Sequence, residues 1–579
     1  MKKNFSLCFT LLIFYIFHAQ SSLYFNGDIL TMKGKKPNYL ESVLVNNGKI
    51  IFTGAKKKAI RLAGKNVQLV NLKGKTLMPG FIDAHGHFLA YGRNLLDCDL
   101  KGVKNIPELI SRMKKHLENV PKGSWCVGMG YDPLILDEKR HPTASELDDI
   151  SGDTPVLVVH VSGHGGSMNS SLIKNLNISS DTKNPVGGEF LRKSGTNEIL
   201  GGMEETALIE VRCQRPKAMP EDVRKIIKDA SYDWAKSGQT TAMECGMGLG
   251  SDDIDIVHYA INNNLLPIDL VVFAKESATD DLINAAYSIA GEYNTPNTID
   301  LASNLLQSRP DLDKRYINRV RLGGIKFWLD GNPVNAWMSK EYAKPPVGRD
   351  EHFHGYRQIS DSLLQSFFDK YWKTDMQINM HVLGDAASEQ ALKIIENTIK
   401  KQGMSDHRPV FVHGAYLRND QILRIKKVGG IPSFLSISLY NSADITEPLW
   451  GKERAENTNA AKSMIENGVT FTISHDAPIS PPVLLPGVWE AVNRKTLSGK
   501  TLGENQKISP YQGLVAITRS AAYQIKEEKN KGTIEVGKLA DFVILDKNPL
   551  KVNPIDIKDI QVFQTIKDGN SVYQKLVKQ

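Results

Sequence analysis

Cysteine is scarce, with five in 579 residues, one of them (Cys8) in the N-terminal apolar stretch. The rest, Cys98, Cys126, Cys213 and Cys245, are too few and too scattered for a disulfide framework, and none has the C-x-x-C spacing of a structural zinc site. Long basic runs are missing too. The net charge of +8, from 72 Lys and Arg against 64 Asp and Glu, therefore reads as a solvated surface and not as a nucleic-acid site. There is no glycine-rich phosphate loop, no short-period repeat and no low-complexity tract. Beyond the N-terminus no apolar run is long enough to span a membrane.

What is present is the composition of a soluble globular chain, 41% hydrophobic and 23% charged, at a length that suits two or three domains. The opening "MKKNFSLCFTLLIFYIFHAQSS" has two lysines, an apolar core from Phe5 to Phe17 and then small and polar residues. It reads as a secretory signal peptide over residues 1–21, cut near Ala19–Ser22, which predicts a periplasmic or secreted product. An uncleaved anchor is the alternative.

Residues 22–78 look like short strands and turns, as do 526–579. Neither end has enough strands for a stable sheet, so the two together are expected to form one small β-sandwich. Between them, residues 79–525 alternate β-rich and helical stretches. Candidate strands are 80–85, 239–245, 268–274, 321–329, 377–382, 409–414, 431–437 and 470–476. Eight such strands separated by helices predict an α/β fold, a (β/α)₈ TIM barrel. The long gap after the first strand predicts an inserted subdomain over about residues 95–220.

The polar residues at the strand ends carry the chemistry. In "GFIDAHGHF", His85 and His87 are two apart, so in an extended segment both project to one side and can converge on one ion. Lys326 lies in "GGIKFWLDG", His381 in "NMHVLGD", His413 in "VFVHGAY" and Asp476 in "ISHDAP". Taken singly these are ordinary residues: a core histidine, a snorkelling lysine, a capping aspartate. Together they fall at the ends of strands one, four, five, six and eight. Barrel active sites form at that rim. Four histidines with a carboxylate favour zinc over calcium or magnesium.

These motifs resemble those of the amidohydrolase superfamily, and more closely its amidohydrolase-3 branch, which includes N-substituted formamide deformylases. "LMPGFIDAHGHF", "IKFWLDG", "HVLGDAA", "HDAP" and the C-terminal "GTIEVGKLADFVILDKNP" carry the resemblance, and "WCVGMGYD", "HPTASELD" and "SGHGGSMNSS" extend it into the insertion. It implies a metal-dependent hydrolase of non-peptide carbon–nitrogen bonds, amide or formamide. It also implies that Lys326 is carboxylated and bridges two Zn²⁺ ions, with His85, His87 and Asp476 on one and His381 and His413 on the other. A single-ion site remains the alternative count. Asp476 would be both a ligand and the proton shuttle.

Weaker candidates for substrate contacts are His164, Trp328 and His475, the last standing where the branch usually has a small residue. Trp337 and Tyr342 suit pocket lining or packing equally, and Glu244 and Cys245 end a strand without being assigned as ligands. The competing readings are an esterase on the same centre and a metal-containing binding protein without catalysis. The expected partner is a small-molecule substrate, with no nucleic acid, no membrane after leader removal, and a homodimer as the possible assembly.

Overall fold

A computed structural model describes residues 21–292, 316–346, 348–435 and 437–576. The expected leader falls, apart from Ser21, on residues 1–20 and so lies outside the described residues. No helix among the described residues is long and apolar enough to cross a membrane.

The centre is a curled sheet of eight parallel strands whose spatial order follows the chain. They are β1 (Phe81–Ile82), β2 (Gln239–Met247), β3 (Asp269–Lys275), β4 (Val320–Trp328), β5 (Gln377–Val382), β6 (Val410–His413), β7 (Ile431–Leu435) and β8 (Thr472–Ser474). Strands β2 and β5 are buried along their whole length, polar residues such as Gln239, Thr241, Gln377 and Asn379 included. At the C-terminal rim the two ends of the sheet meet. Asp476 N donates to His85 O (3.0 Å) and His87 N to Ala477 O (2.8 Å). This is the TIM-barrel-like arrangement in which functional groups gather beyond the strand ends.

The long gap between β1 and β2 holds a six-stranded sheet that runs from Cys98–Asp99 to Ile199–Glu205, followed by helices α1 (Thr206–Arg212) and α2 (Pro220–Lys236). Helix α2 shows how the sequence sets its own ends. Pro220 opens it, Glu221 and Asp222 face the positive end of the helix dipole, and Gly238 follows it at φ +86°. Its buried side chains, Val223, Ile226, Ile227, Ala230 and Trp234, recur every three to four residues and pack on the barrel.

A third sheet contains strands from both ends of the chain. Thr76–Pro79 pairs antiparallel with Phe542–Leu545, over a core that includes Tyr24, Val43, Leu77 and Ile566. The join to the barrel carries buried charge. Asp269, which opens β3, meets Lys531 (2.6 Å), Lys567 (3.0 Å) and Arg319 (3.2 Å). Burial opposes a charge on Asp269, but the three cations outweigh it and hold the carboxyl far below its usual range. Asp269→Asn removes the carboxylate that Lys531 and Lys567 share, although Lys531 keeps Glu527 (2.9 Å) and Lys567 keeps Asp541 (3.1 Å). It should destabilise the protein by about 1–3 kcal/mol, since a buried charge-assisted network loses one member while the lysines keep other partners. Chemical unfolding checks this, and an unchanged midpoint would count against the network's role.

Candidate metal centre

The site forms because one backbone bend presents several side chains at once. Asp83 Oδ1 accepts from His85 N (3.0 Å), while Asp83 Oδ2 accepts from Trp234 Nε1 (3.2 Å) and faces Met243 N (3.4 Å). The chain after β1 is thereby tied to α2 and β2. Gly86 has to lack a side chain, since a Cβ there would sit 2.5 Å from Asp83 Oδ2. His85 and His87 consequently leave the bend close together, with ring centroids 5.1 Å apart.

Asp476 lies opposite them. Its Oδ1 is 3.3 Å from His85 Nε2 and 3.4 Å from His87 Nε2, and its Oδ2 is 3.8 Å from His413 Nε2. Ligand atoms of His85, His413 and Asp476 all fall within 4.8 Å of one another. Lys326 Nζ, wholly buried, is 3.2 Å from His85 Nε2. The His381 and His413 rings are 4.6 Å apart. His381 Nε2 is 3.2 Å from the Gly331 carbonyl; with the proton donated there, Nδ1 keeps the free lone pair, the usual way a ligating histidine is fixed. His413 (φ +68°) and Asp476 (φ +53°) both take the left-handed backbone region, a strain of about 1–3 kcal/mol each of the kind that gathers at functional sites.

The electrostatics suit a cation. Burial is the main reason that the His85 and His381 imidazoles are pushed well below their usual range and His413 to about 3, so all three are neutral and able to ligate. Burial opposes ionisation of Asp476, yet the facing histidines outweigh it and keep it a carboxylate. Burial also lowers the Lys326 amine to about 8. His85 Nδ1, His87 Nδ1 and Asp476 Oδ1 are buried without a hydrogen-bond partner. Neutral imidazoles with a carboxylate, converging and unsatisfied, fit a divalent metal ion.

The outlying candidates separate. His164 reaches over the barrel mouth from the insertion, its ring 5.4 Å from that of His381 and its Nδ1 2.7 Å from Glu205 Oε2. Trp328 lies nearly parallel to His87 (centroids 6.4 Å, 15°), and Lys326 Nζ sits 5.2 Å over its ring. The candidate substrate contact at His475 is corrected, because its side chain turns into the barrel wall. Its Nδ1 accepts from Ala477 N (3.0 Å), its Nε2 meets Gln239 Oε1 (3.2 Å), and its ring packs edge-on against Trp234. Tyr342 packs with Ala336, Leu383 and Ala415, in segments that follow the strands, and donates to Ala336 O (2.9 Å). Glu244 is spent on Leu89 N (2.6 Å), with burial raising it to about 8, and Cys245 is a buried free thiol.

Two supporting acids are not singled out by the sequence, although Asp330 lies within "IKFWLDG". Glu205, at φ +54°, accepts from His164, Asn335 Nδ2 (3.2 Å) and Gln358 Nε2 (2.9 Å). Asp330, raised to about 7 mainly by burial, accepts from Leu383 N (2.9 Å) and Gly384 N (2.8 Å), which holds the turn after β5 beside His381.

Comparison with known proteins places this geometry. The family model described as "Amidohydrolase family" matches residues 68–573. The chain belongs to the amidohydrolase family. It is 25% identical to the Bacillus subtilis protein YtcJ over 96% of this chain and 99% of that one. It is 23% identical to the N-substituted formamide deformylase of Arthrobacter pascens over 95% and 98%. A crystal structure of an uncharacterized metal-dependent hydrolase from Pyrococcus horikoshii shares the fold, with a TM-score of 0.70 at 24% identity, over 92% of this chain and 99% of that one.

Proposed function

We propose that this amidohydrolase is an exported, metal-dependent hydrolase of a non-peptide carbon–nitrogen bond, an amide or a formamide. The observation that carries the reading is the meeting of neutral His85 and His413 with the Asp476 carboxylate at the barrel rim, against the buried Lys326 amine. The deformylase relative supports the choice of bond.

The Lys326 amine, lowered to about 8, has a neutral fraction near physiological pH. That form adds carbon dioxide at Nζ and releases a proton, giving a carbamate with two ligand oxygens. His85, His87 and Asp476 would then hold one ion and His381 and His413 the other, zinc being the ion that suits this donor set. Such ions supply Lewis-acid polarisation of the scissile carbonyl and lower the pKa of water.

The rest is done by the chain. An Asp476 oxygen takes the proton from the attacking water and returns it to the leaving nitrogen. His164, held by Glu205, stands over the mouth on the His381 side, where it can donate a hydrogen bond to the substrate carbonyl oxygen. Trp328 offers an apolar wall beside His87.

A panel of formamides, amides and esters, given to the zinc-loaded protein, tests the reading. Turnover of carbon–nitrogen substrates is expected, and hydrolysis of esters alone would refute it. Export rests on the leader in the sequence. The mature N-terminus should fall near residues 20–23 by mass spectrometry, and a full-length cytoplasmic product would refute it.

A further inference from the structure

The chain's excess of positive charge is not spread evenly. Between Glu41 and Asp83 there is no acidic residue. Of the chain's 72 Lys and Arg, eight fall in that stretch, and the other 64 equal the 64 Asp and Glu, so this stretch alone accounts for the net charge of +8.

The fold turns part of the stretch into one exposed face. The helix Lys56–Ala63 lies on the third sheet, with Ala59 and Ala63 turned inward against Leu23 and Leu44. With 3.6 residues per turn the outer side carries Lys57 and Arg61, and Ile60 and Leu62 flank it, 48% and 53% exposed. Lys65 follows the Gly64 cap. Lys57, Arg61 and Lys65 are exposed and have no ion pair among the described residues. Lys56 and Lys58 lie over the Phe25 and Phe52 rings (3.8 and 5.6 Å), which keeps their charge on the same helix. Beside the helix runs the strand Gln68–Asn71, with Leu69 in register with Leu23. Residues paired in register share a face of the sheet, so Leu69, 59% exposed, lies on the helix side.

Charge and position together indicate what covers this face. Cations with aliphatic side chains among them match an anionic bilayer surface: the cations meet lipid phosphates, and Ile60, Leu62 and Leu69 enter the boundary of the acyl chains. A nucleic acid would engage the cations but leave the aliphatic side chains in water. The chain also enters the fold at the edge of this face, where Gln68 N donates to Ser21 O (2.8 Å). The apolar N-terminal stretch ends at Phe17, four residues earlier, a reach of about 14 Å at most. While attached, the leader therefore keeps the face near the membrane.

We propose that the face formed by Lys57, Ile60, Arg61, Leu62, Lys65 and Leu69 docks the mature protein on a bilayer that contains anionic phospholipid, against the expectation that the chain touches no membrane after leader removal. None of these residues belongs to the metal centre, so docking and metal binding are separable.

The test is co-sedimentation of the mature protein with vesicles of phosphatidylcholine mixed with phosphatidylglycerol, and with vesicles of phosphatidylcholine alone, in about 0.1 M salt. Binding is expected to the mixed vesicles only, and to fall steeply in about 0.5 M salt. Replacing the three cations together, Lys57→Gln, Arg61→Gln and Lys65→Gln, should weaken it roughly tenfold to a hundredfold. Leu62→Ser with Leu69→Ser should weaken it severalfold at unchanged charge. Metal content equal to that of the wild type shows that each variant is folded. If the triple variant does not fold, Lys57→Gln alone carries the charge test, with binding weakened about fivefold. No binding of the wild type to the mixed vesicles, equal binding to the neutral ones, or undiminished binding in either folded variant overturns the proposal. Retention on immobilised heparin without vesicle binding also overturns it, in favour of a soluble polyanion.

Discussion

Asp476→Asn yields a folded protein that keeps much of its metal and loses turnover by at least ~10²-fold, the lower end of what a positioned general base contributes. Asparagine has the size of aspartate and a weak oxygen ligand, and the histidines around it remain. What it lacks is an atom that can take a proton. In the native protein that atom is well placed: Asp476 is a carboxylate at the closing seam of the barrel, its Oδ1 3.3 Å from His85 and 3.4 Å from His87. The checks are metal content per chain and kcat on any working substrate. A variant with near-normal kcat would show that the base lies elsewhere. His164 would then be the group to examine, since His475 is locked into the wall by Gln239 and Ala477.

Lys326 gives the second large effect. Lys326→Ala removes the amine on which the proposed carbamate would form, and both metal and turnover should be lost, with short-chain carboxylates restoring part of each. Lys326→Arg should fail as completely, because guanidinium stays charged and is not a nucleophile toward carbon dioxide. The lowered pKa adds a pH signature. Below about 8 the buried amine is mostly protonated and inert; above it, it is mostly neutral. Metal uptake by the stripped wild type should accordingly depend on bicarbonate and rise as pH goes from 7 towards 9. Normal metal content in Lys326→Arg, or uptake indifferent to bicarbonate, contradicts the bridging role.

The barrel is legible in the sequence because its strands are buried on both faces. The run "VFV" in β6 is apolar, and the polar residue that ends it, His413, is one that meets the site. The strand ends are less legible, for a physical reason. The sequence extends β1 to His85 and β8 to Asp476, whereas the pairing stops at Ile82 and Ser474. The chain leaves the sheet there so that His85 and Asp476 can turn inward, with Asp476 taking φ +53° to do so. The roles of the residues that support the centre leave no local trace, even for Asp330 inside "IKFWLDG". Glu205 reaches His164 across 41 residues of the insertion, and Asp330 holds amides more than fifty residues away. His475 is the reverse case, a histidine next to Asp476 that is held by Gln239, Ala477 and Trp234.

The central claim is that these side chains hold a catalytic metal ion. The most direct measurement is metal content by mass spectrometry alongside turnover, in the protein as isolated, after chelation and after zinc is returned. One to two ions per chain should be present, turnover should vanish with them and come back with zinc, and replacing His85 and His87 together should prevent the return. A protein that hydrolyses its substrate at full rate after its metal has been removed would contradict it.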